Sequence, residues 1–99
     1  MEGENGMNVE HVINEVVQIC KKYSAKQVIL FGSRAKGTAL ERSDIDIAVY
    51  GGDFTSFYFD IKEKIHSLLS FDVVEADEKI SKALKKEIEK DGIIIYEKA

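Results

Sequence analysis

The apolar residues Val9, Val12, Ile13, Val16, Val17 and Cys20 recur at the i, i+3, i+4, i+7 spacing of a helix with one buried face. This predicts a first helix that starts at Asn8, a residue suited to cap it, and ends between Lys22 and Ser24. Gln27-Val28-Ile29-Leu30-Phe31 is a short, nearly continuous apolar run closed by Gly32, the pattern of a strand buried on both faces. The next run, Asp44 to Tyr50, alternates with period two and predicts a second strand, ended by Gly51-Gly52. Asp53 then caps a helix with Phe54, Phe57, Tyr58, Ile61, Ile65, Leu68 and Leu69 on one side. Ser70 to Ala76 predicts a third strand.

A charged helix is expected from about Glu78 to Lys90, with Ile80, Leu84 and Ile88 turned inward. Its Lys and Glu residues read as a solvated face laced with i, i+4 pairs. Gly92 stops it, and Ile93 to Tyr96 makes a final strand. Residues 1–7 bury nothing and are expected to be disordered, which leaves 8–99 as a single domain. The order α-β-(loop)-β-α-β-α-β, without repeats or linkers, predicts an α/β (α+β) fold with a small mixed sheet of about four strands and helices packed on it.

Composition narrows the partners. A 99-residue chain with 44% hydrophobic and 32% charged residues is sized for one core, and a large substrate would have to sit in an open cleft or at an interface. The formal charge of −4 argues against direct nucleic-acid or membrane binding, which needs a surplus of Lys and Arg. A single Cys and the lack of a long apolar run point to a reducing cytoplasm. Cys20, on the apolar stripe, reads as a small buried hydrophobe. His11 and His66 fall on polar helix positions with no companion ligand for zinc.

Candidate chemistry begins at the second strand. Alternation puts Asp44, Asp46, Ala48 and Tyr50 on one face and Ile45, Ile47 and Val49 on the other. The Cα atoms of Asp44 and Asp46 would then lie roughly 6 to 7 Å apart, near enough for both carboxylates to reach one cation. Their mutual repulsion would raise a pKa unless a hard ion such as Mg²⁺ relieved it. Taken alone, the same Asp-x-Asp also fits a turn or a cap facing water. Upstream, Gly32 permits close backbone approach, Ser33 adds a hydroxyl, and Arg34, Lys36 and Arg42 gather positive charge. A basic turn beside paired carboxylates suits a metal-bound nucleoside triphosphate.

Three other assignments fail on the residues. Gly32 and Gly37 have P-loop spacing, but Thr38 and Ala39 follow where Lys and Ser/Thr are required. A calcium loop starting at Asp44 would place Ala48 at a ligand position and Val49 where Gly must turn the chain. An aspartyl nucleophile would stand at the C-terminal end of its apolar strand, and here the carboxylates precede it.

The motif resembles that of the minimal nucleotidyltransferases of the polymerase-beta-like superfamily, in which Gly-Ser is followed by ten residues and then Asp-x-Asp. Gly32-Ser33, Arg34 through Ser43 and Asp44-Ile45-Asp46 match this spacing without a gap. The resemblance extends through the order of elements along most of the chain. It implies the polymerase-beta-like nucleotidyltransferase fold and a third carboxylate within a short apolar strand. Asp72, in Phe71-Asp72-Val73-Val74, fits that place, with Glu75 turned to the opposite face.

The resemblance further implies nucleotidyl transfer with two Mg²⁺ ions and ATP as substrate. Asp44 and Asp46 would hold the ion that grips the triphosphate. Asp72 would share the second and could also take the acceptor's proton, a role that geometry decides. Gly32 and Ser33 would hold the β- and γ-phosphates, with Arg34 also touching phosphate. Minimal members pair with a small all-helical HEPN-type RNase toxin and transfer AMP to its tyrosine hydroxyl, acting as the antitoxin; this implies a hetero-oligomer. A small-molecule acceptor such as an antibiotic, or a binding antitoxin without catalysis, remain the alternatives.

Overall fold

A computed structural model describes residues 9–37, 44–65, 71–76 and 80–98. Residues 1–7, the cap Asn8, Arg42, His66, Leu68, Leu69, Ser70 and Glu78 lie outside the described residues. The elements run α1 (Val9–Lys22), β1 (Gln27–Phe31), α2 (Ser33–Lys36), β2 (Ile45–Tyr50), α3 (Phe54–Lys64), β3 (Phe71–Glu75), α4 (Lys82–Asp91) and β4 (Ile93–Glu97). They form one mixed four-stranded sheet in the order β3-β2-β1-β4, in an α+β arrangement. β1 is antiparallel to both β2 and β4, while β2 and β3 are parallel and joined by the crossover that contains α3.

Period-two alternation divides the core between the two sheet faces. Val28, Leu30, Ile45, Ile47 and Val49 pack against Val12, Val16 and Cys20 of α1 and Phe57 and Ile61 of α3. On the opposite face Phe31, Ala48 and Ala76 are buried with Ile88 of α4. Ala48 is fully buried and small, so α4 can lie close to the sheet there. Cys20 is sealed within the first cluster, and burial pushes its thiol up to about 12, the behaviour of an inert hydrophobe. His11 stands exposed on α1, its Nε2 3.0 Å from Glu15 Oε1.

Local chemistry accounts for the boundaries. Asp53 caps α3 as expected, accepting from the Ser56 backbone N–H at 3.2 Å and its hydroxyl at 2.7 Å. α4 begins at Lys82 because the Ser81 hydroxyl oxygen accepts from the Leu84 N–H at 3.1 Å. β2 begins one residue later than alternation suggested, leaving Asp44 just ahead of it. The one-turn helix α2, in what read as a plain turn, follows β1 immediately. Gly37, with φ 79° and ψ 13°, closes it in the left-handed conformation that glycine adopts without strain.

α1 and the turn after it are tied to α3 by a polar contact at the margin of the apolar layer. Asp60, only 8% exposed, accepts from the Tyr23 hydroxyl at 2.9 Å and lies 3.4 and 3.2 Å from the ammonium groups of Lys22 and Lys64. Burial opposes ionisation of Asp60, but the hydrogen bonds from Tyr23, Lys64 and Lys22 outweigh it and hold its carboxyl below the usual carboxylate range.

Candidate active site

One row of the sheet gathers the predicted acids. Phe31 at the end of β1 is the register partner of Asp46, and Asp46 is in turn the partner of Asp72 on β3. The next row, Ile29, Ala48 and Val74, forms the apolar floor under α4. Asp46 and Asp72 therefore sit side by side at the margin of the face that α4 covers. Asp46 is half-buried, whereas Asp72 and Asp44 are exposed. Glu75 pairs with Val49 and, at odd spacing from Asp72, falls on the other face.

Burial, then the neighbouring charges of Asp72, Asp44 and Glu87, raise the carboxyl pKa of Asp46. Negative charge thus converges on Asp46 from β3, from the residue before β2 and from α4. Among the described residues, no three His, Cys, Asp or Glu side chains close round a point as a preformed cage. The donor set nonetheless fits a hard divalent cation, being all carboxylate and short of positive charge at its centre.

Gly32 brings the basic turn against these acids. Its φ of 76° and ψ of −157° lie in a region that essentially only glycine occupies. A Cβ on Gly32 would run into the carboxylate of Asp46, so the absence of a side chain permits the two to touch. The Gly32 carbonyl accepts from the N–H groups of Ala35 and Lys36, both at 3.1 Å, which starts α2. Ser33 and Arg34, half-buried, occupy the first turn beside Asp46. Lys36, counted above in the positive charge of the turn, lies with its Nζ 3.9 Å from Oδ2 of Asp91 at the end of α4.

Glu87 and Asp91 went unnoticed in the charge run of α4. The signal available was phase, since they flank the inward Ile88 at i−1 and i+3.

The polymerase beta nucleotidyltransferase family matches residues 14–99, which include the Gly32-Ser33 turn and all three aspartates. The chain belongs to this family. It is a nucleotidyltransferase, and two Methanocaldococcus jannaschii proteins carrying the name protein adenylyltransferase are similar to it over nearly their whole length. MJ0604 is 33% identical over 100 residues, covering 91% of this chain and 100% of the relative. MJ1379 is 32% identical over 94 residues, with 88% and 94% covered.

Solved structures share the fold. A chain of a toxin–antitoxin crystal structure with AMP-PNP superposes with a TM-score of 0.69 at 24% identity, covering 87% of this chain and 73% of that one. A chain of the tri-AMPylated Shewanella oneidensis HEPN toxin in complex with MNT antitoxin does so with a TM-score of 0.63 at 20% identity, covering 90% and 72%. Among the described residues, no helix is long and apolar enough to cross a membrane.

Proposed function

We propose that this nucleotidyltransferase moves AMP from ATP to a hydroxyl, a tyrosine, on a small helical HEPN-type toxin and thereby serves as its antitoxin in the cytoplasm. The observation that carries the reading is the in-register pair Asp46 and Asp72, set directly beside Gly32. The name of the jannaschii relatives supports protein as the acceptor. A tri-AMPylated HEPN toxin bound to an MNT antitoxin, on the same fold, supports the nucleotide and the partner.

Asp44, Asp46 and Asp72 are the residues that would hold Mg²⁺, two ions by this reading, which when bound would neutralise the triphosphate and lower the pKa of the attacking hydroxyl. The chain's own contribution is position and charge. Gly32 and Ser33 engage the β- and γ-phosphates, with Arg34 pairing to phosphate oxygen. The acceptor oxygen attacks the α-phosphorus as its proton passes to Asp72, which is exposed where its register partner Asp46 is half-buried, and the bond to the β,γ-diphosphate breaks to release pyrophosphate.

The test is to incubate the protein with Mg²⁺, α-labelled ATP and the product of the adjacent reading frame, and to follow the label. Label on that partner, absent with Asp44→Asn or Asp46→Asn and with chelator, supports the assignment. Toxin inhibition that survives those substitutions without any label would instead identify an antitoxin acting by covering its partner.

A further inference from the structure

α2 is a single turn, Ser33–Lys36, too short to hold its own geometry by internal hydrogen bonds. Its place must be set from outside. At its start, Gly32 abuts the Asp46 carboxylate. At its end, Lys36 Nζ reaches to 3.9 Å from Asp91 Oδ2, the side chains being 43% and 29% exposed.

Asp91 offers firm ground for this contact. It is the last residue of α4, three positions after Ile88, which is 1% exposed beneath the helix. The following Gly92 donates its N–H to the Ile88 carbonyl at 2.9 Å, and a Cβ there would strike that carbonyl and the side chain of Ile29. The end of α4 is thus packed on β1, the strand that leads into α2. Asp91 is also the one half-buried charge among the charged residues of α4, the others being exposed. An acid in the last turn of a helix stands against the helix dipole, and a cation placed beside it offsets that cost. Lys36 Nζ, 3.9 Å from its carboxylate, is so placed at the end of α2.

We infer that Asp91 is a positioning residue for nucleotide binding: by holding Lys36 it fixes α2, and so presents Ser33 and Arg34 to the triphosphate. This rests on the function proposed above and adds a residue remote from the acid cluster. Its effect is expected on affinity for the nucleotide and not on the chemical step, because Lys36 and Asp91 meet at the end of α2 opposite the Gly32–Asp46 contact.

The experiment is a double-mutant cycle on the full chain with Asp91→Asn, Lys36→Gln and both together, reading the Kd for Mg·ATP, KM, kcat and Tm. Each single change is expected to weaken Mg·ATP binding roughly three- to fivefold, as suits a partly exposed pair, with kcat nearly unchanged. The double variant should be no worse than the weaker single, and the wild-type advantage should shrink in high salt. The exchange of Asp91→Lys with Lys36→Asp should recover part of the affinity. Unchanged affinity in Asp91→Asn, strictly additive losses, or losses that only track Tm would overturn the positioning role. So would weakening by Lys36→Gln alone, which would assign Lys36 directly to phosphate. A wild-type protein that fails to bind Mg·ATP would remove the function above and this inference with it, whereas wild-type binding with unaffected variants would remove this inference only.

Discussion

Asp46 on β2 and Asp72 on β3 are register partners of a parallel pair, so their carboxylates leave the same sheet face side by side. Adjacent strands are about 4.8 Å apart, near enough for both side chains to serve one cation and far enough to do different things. Asp46 is half-buried against Gly32, and Asp72 is exposed. Asp46→Asn is therefore expected to abolish both Mg·ATP binding and transfer. Asp72→Asn should keep most of the binding while transfer falls by about 100-fold or more. Equilibrium binding beside single-turnover transfer checks this division, and equal loss of binding in both variants would refute it.

Gly32→Ala tests the contact between the turn and the acids. The new methyl group would need a backbone conformation that alanine avoids, and it would displace the Asp46 carboxylate. Transfer should fall by on the order of 100-fold and stability by about 1–3 kcal/mol. Activity assays and urea unfolding measure the two losses separately.

Charge crowding at Asp46 gives a prediction on stability. Its pKa is raised in the folded chain by burial and by Asp72, Asp44 and Glu87. Its ionised form therefore costs stability, a cost present above the folded pKa and relieved as pH falls toward the unfolded value of about 3.9. In chelator at neutral pH, Asp46→Asn should melt higher than wild type by a few degrees or so, the gap closing on acidification. Added Mg²⁺ should raise the wild-type Tm and leave that of the variant nearly unchanged.

Asp60 behaves in the opposite sense. Its folded pKa is lowered, so its contribution is complete above about pH 3.9 and is lost as pH falls through the folded value. Tyr23 is raised by its bond to Asp60 and by burial, so its share persists below about pH 10 and is lost above it, as pH rises through the folded value. Asp60→Asn is expected to lower Tm by roughly 5 °C at neutral pH, with the two melting curves converging in acid. A gap that stays constant down to pH 2 would contradict the assignment.

Much of this architecture is legible in periodicity. The stripe from Val12 to Cys20 and the alternation from Ile45 to Tyr50 each had one physical solution, and both appear where expected. α2 was not legible, because four residues carry no period and its helical form depends on the Gly32 conformation and on outside contacts. Alternation put Asp44 and Asp46 on one face, but the pairing of Asp46 with Asp72 depends on which strands are neighbours, which no local pattern states. Asp60 escaped notice for the same reason, since its partner Tyr23 lies 37 residues away in sequence. Lys36 was read only as part of the positive charge of the turn, with no partner assigned. Asp91 becomes its neighbour only once α4 packs on the sheet.

The central claim is that the row Asp46–Asp72, with Asp44 and the Gly32-Ser33 turn, transfers AMP to a protein hydroxyl. Intact mass spectrometry of the helical partner, co-produced with this chain and then with its Asp46→Asn variant, tests that most directly. The account predicts a partner heavier by one or more AMP groups on tyrosine with the wild-type chain and of unmodified mass with the variant. A partner of unmodified mass in both, yet silenced in both, would contradict it.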